Sequence, residues 1–447
     1  MIHFQFLIKN FSIRNMALLD FIKKIEPDKK ESPFMHTLYD GFFTFLYAPA
    51  TVTKGGVHLR DGMDLKRLMV HVVLMLQLCY LFGTYNLGHQ HFVALGEFPG
   101  FFEGFHLKLA HGLIKLLPIF IVAHVVGLGI EFWYAAKKGH AIEEGFLVSG
   151  ALIPLIMPPD VPLLWLTLAI IFAVIIGKEA FGGTGMNILN VALLARAFIF
   201  FAYPTEMAGD TMINGKEVWV AGVEFISQTD KVQIANYGWG HTFFDWIYGA
   251  FGWKTFSGFE GQVVADGWTG ATPLGLAAKG GWSAVTEVYT PSQMWWGGIP
   301  GSIGETCKPF IILGAIGLIV MRVASWRVML SMLIGAALTA YMMNAGTATS
   351  DNPAFAFMQV PWYYQFYMGS FFFAMAFMAT DPVTAASTNT GKWIYGFFIG
   401  MIGMIIRVLN PAYPEGWMLA ILFMNVFAPL IDFYVLDSNI SKRLKRA

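Results

Sequence analysis

The sequence predicts an all-α polytopic membrane protein, with about ten transmembrane helices arranged as two inverted five-helix repeats. Three observations predict it. The 447 residues are 56% hydrophobic and only 13% charged, against about 25% charge in an ordinary soluble domain. The apolar residues gather into runs of spanning or near-spanning length, close to the ~20 residues that a bilayer core requires. Those runs divide five before and five after a polar, glycine-rich loop, and two consecutive sets of five spans cross the bilayer in opposite senses.

In chain order, residues 1–66 form a mixed arm that carries Lys23, Lys24, Lys29, Lys30, Lys54, Arg60 and Lys66. That composition suits an amphipathic arm at the cytoplasmic membrane surface. Its first apolar patch is interrupted by Lys9 and Arg14 and lacks a small-residue cleavage site, so it does not read as a signal peptide. Met16 is a second candidate start, and Met16 to Pro27 reads as an amphipathic helix. The first repeat, 67–204, holds runs at 68–87, 112–136, 146–158, 162–178 and 186–204. The run 146–158 is short and bounded by Pro154, Pro158 and Pro159, as in a broken or tilted span. A large loop follows at 205–307. The second repeat, 308–436, has runs near 308–322, 326–344, 362–380, 393–410 and 417–436, and 437–447 is a basic tail.

Charge sets the orientation. Lys137, Lys138, Lys178, Arg322, Arg327, Lys392 and the tail fall on one side, whereas the short connections opposite hold only Lys108. The basic side is cytoplasmic by the positive-inside rule. Both termini are therefore expected in the cytoplasm and the loop 205–307 outside it.

Composition also excludes function classes. The net charge of zero, without a basic run interleaved with aromatics, argues against nucleic-acid binding. The two cysteines, Cys79 and Cys307, supply neither a disulfide framework nor the thiolates of an iron–sulfur cluster. No glycine-rich dinucleotide fingerprint follows a strand and no phosphate-binding P-loop occurs, so NADH or ATP would bind another subunit.

Several residues could carry chemistry. Glu131, Asp381 and Asp432 stand near the cytoplasmic ends of apolar runs. An unpaired carboxylate at membrane depth costs on the order of 3 kcal/mol, so each needs water, a partner or a cavity. Together they could form a cation access zone, since oxygen ligands suit hard cations. Small-residue stretches break the helical pattern at 182–187 and 380–391. Arg196, inside the fifth run, needs an anion or carbonyl partner, and a ligand phosphate or an acid could supply it. His89 and His91 share a face only in an extended backbone. In the loop, Asp266-Gly267-Trp268-Thr269-Gly270-Ala271-Thr272 sets hydroxyls among small residues, which leaves them accessible to another enzyme.

The last stretch matches the flavinylation motif Asp-x-x-Ser/Thr-Gly-Ala-Ser/Thr. With it, the runs 177–187, 196–198, 200–204 and 410–416, Asp64-Leu65-Lys66-Arg67 and the tail from Asn425 onward resemble the flavinylated membrane subunits, the B subunits, of the sodium-translocating NADH:quinone oxidoreductases. The resemblance covers the chain from about Met16. It implies inverted five-helix repeats similar to urea and ammonium transporters, in a bacterial inner membrane. It implies FMN joined through its phosphate to Thr272, with Asp266, Thr269, Gly270 and Ala271 completing the motif, and a non-covalent riboflavin. Arg196 is a further candidate flavin contact. A quinone, ubiquinone or menaquinone, is implied near the arm and Gly127-Leu128-Gly129, and a sodium path through Glu131, Asp381 and Asp432. The family's adjacent glycine pair reads here Gly127-Leu128, and its Asn-Pro-Ala reads Asn190-Val191-Ala192. The implied partners are the other subunits of a six-subunit complex, which supply NADH oxidation and iron–sulfur chemistry, and a flavin transferase that meets the loop in the periplasm. Two alternatives share the fold: the D subunit of an Rnf ferredoxin:NAD oxidoreductase, and a passive solute channel, which has no reason to carry the motif.

Overall fold

The computed structural model describes residues 24–28, 32–46, 65–138, 145–159, 161–203, 218–220, 223–228, 231–234, 237–263, 272–350, 352–410 and 415–446. Among the described residues, six helices are long and apolar enough to cross a bilayer: Arg67–Ala94, Phe105–Lys138, Leu163–Phe181, Trp326–Thr347, Asn389–Leu409 and Trp417–Leu444. This is a multi-pass membrane protein.

The arm contributes α1 (Pro33–Leu46), which packs on the second long helix of the first half. The helix expected over Met16–Pro27 lies, up to residue 23, outside the described residues. The first half continues with α2 (Leu65–Ala94), α3 (Phe105–Lys138), α4 (Phe146–Ile156), α5 (Leu163–Gly177) and α6 (Val191–Ala202). No charge interrupts α5, LLWLTLAIIFAVIIG, so it is apolar on every face, as a membrane-buried helix should be. By contrast α4 spans 11 residues, about 17 Å, roughly half the ~30 Å hydrocarbon thickness. Met157-Pro158-Pro159 ends it among buried side chains, where a free carbonyl has no water to meet. The Leu155 carbonyl accepts instead from Gly304 N at 2.9 Å. Glycine is required at 304, because a Cβ would stand 2.9 Å from Leu155 Cβ and from the Phe373 ring.

The run expected to span 186–204 becomes a helix only from Val191. Gly182, Gly183 and Gly185 take positive φ of 121°, 104° and 88°, and Asn190 caps α6 by accepting from Leu193 N at 3.1 Å.

The loop 205–307 departs from the all-α expectation. It holds a three-stranded antiparallel sheet in the order β1 (Val218–Val220), β2 (Val223–Gln228), β3 (Lys231–Ile234), with Phe225 opposite both Val218 and Ile234. The β-branched and aromatic residues of these segments favour a pleated surface over a helix. The helices α7 (Trp239–Ala250), α8 (Pro273–Val288) and α9 (Pro291–Trp296) follow. A buried histidine cluster fastens α7 to the ends of α2 and α3. The His91 and His111 rings stack at 4.2 Å and 10°, His91 Nε2 meets the Tyr237 hydroxyl at 2.9 Å, and His241 Nε2 meets His111 Nδ1 at 3.3 Å. His89 faces elsewhere, its Nδ1 3.0 Å from Lys108 Nζ, because α2 is helical here and residues two apart diverge.

The second half comprises α10 (Lys308–Val320), α11 (Trp326–Thr347), α12 (Asn389–Leu409) and α13 (Trp417–Leu444). The expected helix over 362–380 is broken instead into a 3-10 turn at Tyr364–Phe366, one α-turn at Phe371–Phe373 and a π-turn at Ala374–Met378. Gly369 has φ 64°, and Arg407 Nη1 donates to the Gln365 and Met368 carbonyls at 2.6 and 3.1 Å. Hydropathy measures composition and is blind to where those carbonyls are bonded. Glycines let α11 and α12 touch backbone to backbone, a common device of membrane helices. A Cβ at Gly400 would lie 2.1 Å from the Met332 carbonyl oxygen, and one at Gly335 would lie 2.2 Å from that of Phe397.

Two outcomes follow from this packing. Gly400→Val should lower thermal stability in detergent by about 1–3 kcal/mol, the usual effect of overpacking. Gly346→Ala, on the same α11 but with nothing within 4 Å of its Cβ position, should leave it unchanged; equal behaviour of the two would refute the contact. The second outcome is a pH dependence. Burial pushes the His241 imidazole from 6.5 down to about 4, the Lys115 charge adding to that while the Tyr237 carbonyl and the Asp245 carboxylate oppose it. The folded state thus binds fewer protons than the unfolded one between those values, and stability rises with pH across that window. Docking of α7 is complete above pH 6.5 and weakens as pH falls toward 4. Hydrogen exchange over α7, corrected for intrinsic rates, should accelerate on that descent, and flat protection would contradict the burial.

Candidate functional site

Thr272 opens α8. Its backbone is extended (φ −70°, ψ 153°), Pro273 occupies the first helical position, and its Oγ1 accepts from Gly275 N at 3.1 Å. Proline loses nothing there, since the first amides of a helix have no intrahelical partner. Thr272 is half-buried, and Asp266, Thr269, Gly270 and Ala271 lie outside the described residues. A helix N-terminus presents amides and the positive end of the dipole, which together favour a phosphate. The helix turns sharply at Gly281 (φ 68°, ψ −155°), and beyond it Trp282 stacks on Tyr364 at 4.1 Å and 14°. Leu274, Ala277 and Val285 pack with Phe357, Val360 and Met368. Both halves of α8 are therefore seated on the broken segment.

Charged groups lie beneath this seat. Around the point where Gly369 would carry a Cβ, Arg407 Nη2, Glu415 Oε1 and Leu274 Cδ2 stand at 2.9, 2.9 and 3.1 Å. The Ser370 hydroxyl donates to Glu415. Glu305 is buried with Glu415, Lys308 and Arg196 all within electrostatic reach.

The three acids do not converge. Glu131, on α3, is buried against Lys178 in an ion pair just past the end of α5, and Lys138 approaches Glu179 at 3.6 Å next to it. Pairing is the expected fate of a carboxylate at this depth. Asp432 fastens the turn before α12: its Oδ2 accepts from Ser387 N at 2.6 Å, and its Oδ1 from Thr388 N at 3.0 Å and Thr388 Oγ1 at 2.5 Å. Thr388 in turn caps α12 through Gly391 N at 3.1 Å.

Asp381 is held differently. Its Oδ2 accepts from Asn190 Nδ2 at 3.2 Å and Thr384 Oγ1 at 3.1 Å, and its Oδ1 from Val383 N at 3.1 Å. These donors are neutral. Asp381 lines a cavity of about 70 Å³ together with Asn190, Asn187, Thr184, Ser149 and Lys178. That volume admits several waters, each needing about 10–15 Å³. A carboxylate beside hydroxyl oxygens is a donor set for a hard cation. The sequence marked Asp381 and the glycine-rich turn but not their meeting with Lys178. The one available signal was that Glu131 needed a cation.

Gly127 and Gly129 have separate settings. A Cβ at Gly127 would lie 1.9 Å from Phe146 Cζ, so this glycine admits α4 against α3; one at Gly129 would meet nothing within 4 Å. Leu128 packs on the core from a half-buried position.

Comparison with known proteins agrees over nearly the whole chain. The profile of the NQR2, RnfD, RnfE family matches residues 52–441. The chain is 40% identical over 455 residues to a protein of Chromohalobacter salexigens named as the B subunit of a Na(+)-translocating NADH-quinone reductase, covering 96% of this chain and 97% of that one. Proteins of the same name from Pseudomonas paraeruginosa and Klebsiella pneumoniae are 39% identical over 434 residues and 38% over 464. They cover 92% and 96% of this chain, and 94% and 100% of their own lengths.

The buried pair makes its own prediction. Lys178→Met alone strands the Glu131 charge and should destabilise the protein by about 3–5 kcal/mol, whereas Glu131→Gln with Lys178→Met should recover most of the loss. Thermal unfolding of both in detergent decides it, and equal damage would contradict the pairing.

Proposed function

This chain belongs to the NQR2, RnfD, RnfE family, and from that membership we propose that it is the membrane redox subunit of a sodium-pumping NADH:quinone oxidoreductase. In this reading it passes electrons through FMN esterified to Thr272 and through a non-covalent riboflavin to ubiquinone or menaquinone, and forms part of the sodium path. NADH is oxidised on a partner subunit, because this chain has no dinucleotide-binding fingerprint. The charge bias of the connections supports cytoplasmic termini and a periplasmic flavin-bearing loop in a bacterial inner membrane. The pairing of short or broken segments in the two halves, α4 against 364–378, supports the inverted five-helix repeat of ten spans.

The observation that carries the reading is the placement of Thr272 as the cap of α8, within the motif from Asp266 to Thr272. The residues present fit a phosphoester. The Gly275 amide in the first turn of α8 donates to the Thr272 oxygen, and Gly275, having no side chain, leaves room for attack by a transferase-bound flavin. When bound, the isoalloxazine supplies the electron-transfer chemistry. The chain's part is to tether and place it: α8 is seated on the broken segment, and the N-terminal dipole balances the phosphate charge. Arg196 sits with Glu305 beneath that seat and contributes to the field there.

For sodium, the Asp381 cavity is the station: one carboxylate and neutral oxygens hold a monovalent cation without the depth of a multi-carboxylate trap. Asp432 contributes by holding the 387–388 turn, and Glu131 through its contact with Lys178. The open face of α3 at Gly129 is the apolar surface offered to the quinone, with Gly127 and Leu128 setting the packing behind it.

Expression beside a flavin transferase should give a band that fluoresces under ultraviolet light in an unstained denaturing gel. Thr272→Ala should abolish that fluorescence and Thr272→Ser should retain it. A fluorescent Thr272→Ala band would sink the assignment.

A further inference from the structure

We propose that Lys178 is a tethered cation that competes with sodium for Asp381, and that Glu131 is the anion that keeps it away. The proposal rests on the reading of the Asp381 cavity as the sodium station and adds to it the element that controls occupancy.

Three observations carry it. Lys178 lines the same cavity as Asp381. Its ammonium is ion-paired to Glu131 on α3, a residue that does not line that cavity, with side chains only 4% and 6% exposed. Its backbone is fixed, because the Lys178 carbonyl accepts from Phe181 N at 3.1 Å and Gly183 N at 3.2 Å. A fixed backbone and a four-carbon stem with rotatable bonds make the ammonium a charge on a short leash.

Charge then decides the rest. Glu131, Lys178 and Asp381 sum to one negative charge, so the group has room for one further monovalent cation. With Lys178 on Glu131, that vacancy is at Asp381, in the cavity that Thr184 and Ser149 line with hydroxyl groups. With Lys178 turned to Asp381, its three N–H donors take the oxygens that a sodium ion would use, and the negative charge is left on Glu131. Sodium at Asp381 and Lys178 at Asp381 exclude one another, by occupancy and by repulsion of like charges. Any event that weakens the hold of Glu131 on Lys178 therefore expels sodium without the cavity having to widen. Glu179, immediately next in sequence, also acts on the Lys178 charge and is itself approached by Lys138 at 3.6 Å, so Glu179 and Lys138 cancel in this count.

The test uses the assembled complex purified with its partner subunits, with two readouts. One is the sodium concentration giving half-maximal NADH-driven quinone reduction. The other is the sodium-dependent rise in melting temperature without turnover. Glu131→Gln frees Lys178 and should weaken sodium binding about tenfold or more by both readouts, within the usual range of coupling between sites. Adding Lys178→Met removes the competitor and should return the affinity to the starting value or better. That double variant keeps the buried pair neutral, so a misfolded single variant does not leave the question open. Unchanged sodium affinity in both variants, with Asp381→Asn weakening it, would overturn the competitor while leaving the station standing. If Asp381→Asn also changes neither readout, the station itself is wrong and the competitor falls with it.

Discussion

A backbone carbonyl that leaves the helical pattern and is shielded from water must find a donor in the protein, and buried cations supply that donor here. Lys108, Lys308 and Arg407 are each 0% exposed. Lys108 donates to the Phe98 and Gly100 carbonyls, Lys308 to those of Glu305 and Thr306, and Arg407 to those of Gln365 and Met368. Each cation thus serves two carbonyls of a non-helical stretch. An ammonium or guanidinium accepts burial on these terms, because carbonyl dipoles replace its hydration. The short α4, the segment leading into α10 and the broken run before α12 all depend on this arrangement or its backbone counterpart, Gly304 to Leu155.

That arrangement separates two kinds of site. The Asp432–Thr388 turn stands at the start of α12, and Arg407 near its end. Thr388 and Arg407 are 19 positions apart along the helix, about 28 Å at 1.5 Å per residue. The seat of α8 and its charged floor gather at the Arg407 end, whereas the Asp381 cavity is tied to the other through Asn190, Thr380 and the 380–388 turn. Energetic communication between them has to pass through packed helices and not through a shared cavity.

Much of this was legible in the sequence, for identifiable reasons. Long apolar runs such as Leu163–Gly177 announce themselves because nothing else in water would bury them. The Asp266–Thr272 motif was legible because it is local, whereas the helix that starts at Thr272-Pro273 went unread although capping chemistry marks it. What else stayed hidden was non-local. Trp362–Thr380 has the composition of a span, but Arg407, some forty residues away, decides where its carbonyls bond. The Glu131–Lys178 pair joins residues 47 positions apart, and the histidine cluster joins positions in α2, α3 and the loop. Grouping Glu131 with Asp381 and Asp432 counted charges on one side of the membrane without knowing which of them already had partners.

The glycine contact between α11 and α12 has a mechanical consequence. Two helices whose backbones meet through Gly335 and Gly400 cannot slide past one another by rotamer changes, since no side chain stands between them to yield. They form one stiff plank. The stretch that joins them, residues 348–388, is instead made of short turns with few helical hydrogen bonds. Any conformational cycle in this half of the molecule must therefore bend there, in a stretch whose first part seats α8 and whose last part walls the Asp381 cavity.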